Sequence, residues 1–202
     1  MKWYAMKWWA IIFAAGLAWA QTPAAPQPNT SADQQAAEQK EQVELSQAIA
    51  EAGTSNIDFI RALERHLAKY PDTKQRAAIE KGLAKSAIDA NDHARIILYG
   101  ERVLQAEPNS DDLSLIDRVI RALLDTDDPE SAKKALSYIG RYQSEVEKMR
   151  GRASEGHMSE GQWAAEIDKA MARVLLLAAR ATGNSGNPEA ALGLARSAWQ
   201  TS

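Results

Sequence analysis

The sequence predicts an all-α fold assembled from antiparallel helix pairs. Three observations lead there. Apolar residues recur at spacings of three and four, prolines beside Asp, Asn or Glu interrupt the chain at regular places, and no run of alternating β-branched residues occurs.

Each element follows in order. Residues 21–37 read as a disordered Pro/Ala-rich linker, because Pro23, Pro26 and Pro28 fall close together with almost no large apolar group to bury. Helical composition, rich in Gln, Glu and Ala, gathers from Asp33 to Glu44, with a weak apolar face. From Ser55 to Tyr70, the residues Phe59, Ile60, Leu63, Leu67 and Tyr70 lie on one helical stripe. Leu113, Ile116, Val119, Ile120, Leu123 and Leu124 form a second, and Met171, Val174, Leu175 and Ala178 a third. Pro71, Pro108, Pro129 and Pro188 mark helix boundaries, since proline is tolerated only at the first helical turn. Asp128 and Asn187 are expected N-caps beside a proline, while Asp72/Thr73 and Ser110/Asp111 are expected to start new helices. Short turns between helices require neighbours to run antiparallel.

Pro71 and Pro108 stand 37 positions apart, and the unit between them is helix, Asn91-Asp92 turn, helix, proline. Leu83-Ala84 and Ala87 occupy its first helix; Ile96, Gly100 and Val103 occupy packing positions in its second. The next unit has Val119-Ile120, the turn Asp127-Asp128, then Ala132, Leu136 and Ile139. A later one has Ala178-Ala179, Asn187, Ala191, Ala195 and Ala198. Ahead of all three, Asn56 to Pro71 reads as a second helix, paired with a weaker first helix around Val43 to Ala52. This grammar resembles the tetratricopeptide repeat, a helix–turn–helix unit of about 34 residues. The resemblance implies a right-handed superhelix of antiparallel helix pairs, a TPR-like α-solenoid, over residues 38–202. It departs from the family where Ala or Ile replaces the usual Gly, and an insertion loop near residues 150–160 breaks the period. Ser159 is an expected cap for the long helix that follows.

In this family the first helix of each pair lines the concave face, with its ninth position turned into the groove. The resemblance therefore puts Lys85, Arg121 and Arg180 there, with Lys81 and Arg173 on the same side. Such a row of cations can grip an acidic or carboxylate-bearing peptide. Alternatively, these are solvated helix residues balanced by Asp89 and Asp117. The asparagines of the family's carboxylate clamp do not occur at the matching places.

The first twenty residues carry an address. Lys2 and Lys7 precede an uncharged stretch from Trp8 to Ala20 that contains Ile11, Ile12, Phe13 and Leu17 and closes on Ala18-Trp19-Ala20. That layout is a secretory signal peptide over residues 1–20, cleaved after Ala20. It is shorter than the roughly 20 residues of a spanning helix, although a retained anchor is the alternative. The expected location is periplasmic or secreted, in a bacterium, with no stable membrane insertion once cleaved.

The chain has no cysteine, which excludes disulfides, thiolate metal sites, a cysteine nucleophile and a lipidated-cysteine anchor. Its formal charge of −3 argues against nucleic acid as a partner. His66, His93 and His157 are far apart, and no phosphate loop, Gly-x-Ser-x-Gly or His-Glu-x-x-His motif occurs. Asp125, Asp127 and Asp128 lack the spacing of a calcium loop. No enzyme activity, cofactor or metal is expected.

Three functions remain. The first is a scaffold binding a protein or peptide segment. The second is the support domain of a larger redox protein, since the chain also resembles the repeat half of some exported bacterial thioredoxin-like proteins, without their Cys-x-x-Cys. The third is an oligomeric envelope assembly factor. No polar capping helix follows the last apolar one, so Leu192, Leu194 and Trp199 are the expected open-end interface, for a partner or for a homo-oligomer.

Overall fold

The structure is a computed structural model that describes residues 30–152 and 158–201. Its described residues form eight α-helices and no strand: α1 (Thr30–Ala52), α2 (Asn56–Lys69), α3 (Arg76–Asp89), α4 (His93–Ala106), α5 (Leu113–Leu124), α6 (Pro129–Arg150), α7 (Glu160–Asn184) and α8 (Pro188–Thr201). The expected all-α class is therefore the class observed. The expected signal peptide lies outside the described residues, as does His157. Among the described residues, no helix is long and apolar enough to cross a membrane.

The chain divides into two units at Lys40. In the first unit, residues 30–40 are helical, taking in the start of the Gln-, Glu- and Ala-rich stretch from Asp33. Beyond Pro28 there is no proline before Pro71, and Ala, Gln and Glu favour helix.

The second unit, Glu41–Ser202, holds the core. Each helix packs chiefly against its neighbours in sequence, and α5 also meets α7. Four tight turns reverse the chain, and each uses one left-handed residue: Gly53 (φ 59°), Asn91 (φ 52°), Asp127 (φ 52°) and Gly186 (φ 96°). Gly, Asn and Asp are the residues that enter this region most readily. The turn at Asn91 makes α3 and α4 antiparallel, and Arg102 meets Glu80 at 3.2 Å toward their far ends.

Local chemistry starts the helices. Asp92, Asp112 and Asp128 accept from backbone N–H groups at 3.1, 3.0 and 2.7 Å. Asn187 accepts from Ala190 N at 3.2 Å. Ser159 and Gln162 form a reciprocal capping box. Two starts differ from expectation. Helix α3 begins after Gln75, whose N–H is accepted by the Thr73 hydroxyl at 3.1 Å while that hydroxyl donates to Glu41 on α1. Helix α5 is capped by Asp112, with Ser110 Oγ accepting from the Asp112 N–H at 3.3 Å.

The central helix α5 fills the core: Ile116, Val119, Ile120, Leu123 and Leu124 are all buried. On α4, Gly100 lies where a side chain cannot fit. A Cβ built there falls 2.5 Å from Val119 Cγ2 on α5. The close approach of α5 explains the glycine at this position.

Helices α6 and α7 are the longer members of this stretch, with 22 and 25 residues. Tyr142 and Val146 of α6 and Ile167 of α7 are buried in the core, and Arg150 pairs with Asp168 at 2.7 Å. From Glu41 onward, α1 is held differently. It buries Leu45 but relies on polar links: Glu41 meets His66 Nε2 at 3.3 Å, and Glu44 accepts from Lys69 at 2.5 Å and Tyr70 at 2.6 Å.

Candidate functional site

The five expected groove cations all lie on exposed helical stripes, but most are engaged. Lys81 of α3 pairs with Glu107 at 2.6 Å. Lys85 is exposed one turn further along. On α5, Arg121 pairs with Asp117 at 2.7 Å, and that carboxylate raises the arginine's pKa further. Arg180 of α7 reaches across to the end of α5, donating to the Leu124 carbonyl at 3.0 Å and to Asp125 Oδ1 at 2.9 Å. Arg173 is exposed and makes no ion pair among the described residues.

The Arg180 contact carries geometric information. Successive helices are antiparallel, so α5 and α7 are parallel. Their exposed stripes run side by side: Ser114, Arg118, Arg121 and Asp125 on α5; Lys169, Arg173, Leu176 and Arg180 on α7. Arg118 was not singled out from the sequence. It is exposed, and it has no ion pair among the described residues. Its spacing to Arg121, three residues, was the available signal. Leu176 was also missed, although it is 56% exposed on an otherwise cationic stripe.

A second polar cluster joins α2 to α4. Arg95 binds Glu64 at 2.8 Å and Asp92 at 2.7 Å, and the Tyr99 hydroxyl donates to Glu64 at 3.0 Å. The arginine lowers the pKa of both carboxylates, while burial and Glu64 push the Tyr99 phenol up to about 12. Beside this cluster is a groove of about 210 Å³ lined by Ile57, Ile60, Arg61, Ala90, Asp92 and Arg95.

The histidines are structural where described. His66 is buried, and its ring centroid lies 4.9 Å from that of Tyr70. His93 Nδ1 lies 3.7 Å from Asp125. Among the described residues, no cluster of metal-ligating side chains occurs. Asp125 and Asp128 serve Arg180 and the α6 cap respectively.

The expected open-end residues divide. Leu192 (53% exposed) and Trp199 (84% exposed) share one outer stripe of α8. Leu194 is half-buried and faces inward with Ala198, four residues on, so it does not belong to that stripe. Comparison with protein-family models, with curated proteins and with solved structures finds no match.

Proposed function

We propose that this chain is an exported helical-repeat scaffold, similar to the tetratricopeptide-repeat class, that binds a polypeptide segment across its first helices. The observation that carries this reading is the side-by-side, parallel arrangement of α5 and α7 behind the Arg180–Asp125 link. Stacked helix pairs of this kind wind into a solenoid with an extended binding surface. Export follows from the Lys2–Ala20 segment, and mature chain recovered from the cell envelope is expected to begin at Gln21.

The test is affinity capture from envelope extract with the mature chain and with a Lys85→Glu, Arg121→Glu, Arg173→Glu variant. A partner held by the native chain and lost by the variant supports the reading. An unchanged set of captured proteins overturns it.

A second reading rests on α8. Leu192 and Trp199 present a stripe suited to self-association, which would make the chain an oligomeric assembly factor. Light scattering after size exclusion decides it. A monomer at high protein concentration removes that reading.

A further inference from the structure

The Arg180–Asp125 bond sets the register of α5 against α7 to within one turn, the reach of an arginine side chain. Seven residues back along each helix, two turns, stand Arg118 and Arg173. The two arginines therefore occupy neighbouring places on adjacent parallel helices. Most cations of this chain are satisfied internally: Lys81 by Glu107, Arg95 by Glu64 and Asp92, Arg121 by Asp117, Lys134 by Glu101, Arg180 by Asp125. Arg118 and Arg173 have no such carboxylate among the described residues, and the Arg180–Asp125 register sets them within about one turn of each other.

We propose that Arg118 and Arg173 together hold one side-chain carboxylate of an acidic polypeptide segment, with Leu176 receiving an apolar side chain next to it. This rests on the scaffold reading above and names the ligand's chemistry. Two guanidinium groups on neighbouring helices repel until an anion lies between them, and a carboxylate accepts a two-pronged hydrogen bond from one fork while an outer lone pair accepts from the other. Leu176 lies one turn beyond Arg173, 56% exposed. One turn is about 5.4 Å. Two residues of extended chain span slightly more, about 6.6 Å. The favoured segment thus carries Asp or Glu with an apolar residue two positions away. A nucleic acid fits less well. Asp117, Asp125 and Glu166 border the stripe, and a run of phosphates would meet them, whereas a single carboxylate would not.

The experiment is fluorescence anisotropy on the mature chain. The probes are a short fluorescein-labelled peptide of Glu, Leu and Ala, its Gln-for-Glu counterpart, and a single-stranded DNA oligomer. The acidic peptide is expected to bind saturably and the other two are not. Arg118→Gln and Arg173→Gln should each weaken it about tenfold or more, the usual effect of losing a charge-assisted hydrogen bond. Arg196→Gln, an exposed arginine on α8, should leave it unchanged. Thermal melts matching the native chain show that each variant is folded. If the peptide binds but only Lys85→Gln or Leu176→Asp weakens it, the arginine pair is wrong while the scaffold reading stands. If DNA binds through the same two arginines, the proposal is overturned. If neither peptide binds, the proposal is overturned, and the capture experiment above decides the scaffold reading on its own.

Discussion

Arg180 on α7 donates to Asp125 Oδ1 at 2.9 Å and to the Leu124 carbonyl at 3.0 Å, closing the C-terminal end of α5 from a different helix pair. A cation beside the last carbonyls of a helix also suits its dipole. The two side chains are 46% and 36% exposed, so solvent screens the pair. Arg180→Ala is therefore expected to cost about 1 kcal/mol, combining an exposed ion pair with one carbonyl hydrogen bond. Asp125→Ala should cost less. A double-mutant cycle by urea denaturation should give a coupling below about 1 kcal/mol that shrinks in high salt.

Gly100→Ala sets two effects against each other. Alanine gains about 1 kcal/mol of helix propensity over glycine. Its Cβ would lie 2.5 Å from Val119 Cγ2, a fully buried branched side chain with little freedom to move. Overpacking of that kind costs about 1–3 kcal/mol. The net change expected is a destabilisation of up to about 2 kcal/mol. Adding Val119→Ala should recover part of it, so the pair is less destabilised than the sum of the single variants. Equilibrium denaturation measures all three.

Arg141→Met tests how α4 and α6 are joined. Arg141 donates to the carbonyls of Leu104 at 3.0 Å, Glu107 at 2.9 Å and Ser110 at 2.7 Å. The Leu104 carbonyl is left over where α4 ends, whereas the Glu107 carbonyl also accepts from the Ser110 N–H at 3.1 Å. Methionine keeps much of the side-chain volume and removes all three bonds. The expected loss is about 2–3 kcal/mol, since the Leu104 and Ser110 carbonyls lose this donor. Arg141→Lys keeps the charge but not the fork, so it should recover only part of that loss. Urea midpoints for the two variants make the comparison.

Much of this fold was legible because its determinants are local. Ser159 with Gln162, Asp128 before Pro129, and Asn187 before Pro188 act within a single turn of chain, and each does in space what its spacing implies. Thr73 stands ahead of the observed helix start: its hydroxyl accepts from the Gln75 N–H and also donates to Glu41, a partner 32 residues away that spacing does not reveal. Gly100 was hidden for the same reason, since its constraint is Val119 on the following helix. At the candidate site, the sequence pointed to Lys81, Lys85, Arg121, Arg173 and Arg180 through its repeat resemblance, and all five are exposed. It anticipated the i,i+4 partner of Arg121, Asp117, but not Glu107 for Lys81 or Asp125 for Arg180. Those partners come from other helices. Which cations stay uncommitted is therefore a tertiary property, and Arg118 emerged only when α5 was set beside α7.

The Arg95 cluster makes stability depend on pH at both extremes. Glu64 is lowered from 4.5, first by the Arg95 hydrogen bond, and Asp92 is lowered from 3.8 by the same arginine. A lowered folded value means that the stabilisation is present above the ordinary value and disappears as pH falls through the folded one. The urea midpoint of the native chain should therefore fall as the pH drops below about 4.5. The Arg95→Met variant should begin lower at neutral pH and lose less across that range. Tyr99 acts in the opposite direction. Its phenol is pushed up to about 12 from 10.0 by burial and by the bond it donates to Glu64. That stabilisation is complete below pH 10.0 and lost as pH rises through about 12. Lys69 and Tyr70 are also raised, through Glu44, so alkaline destabilisation of the native chain has more than one source. Subtracting Tyr99→Phe isolates one of them. The native chain should lose its advantage over this variant as the phenol ionises. An advantage that stays constant to pH 12 would mean that the Tyr99–Glu64 bond does not shift the phenol.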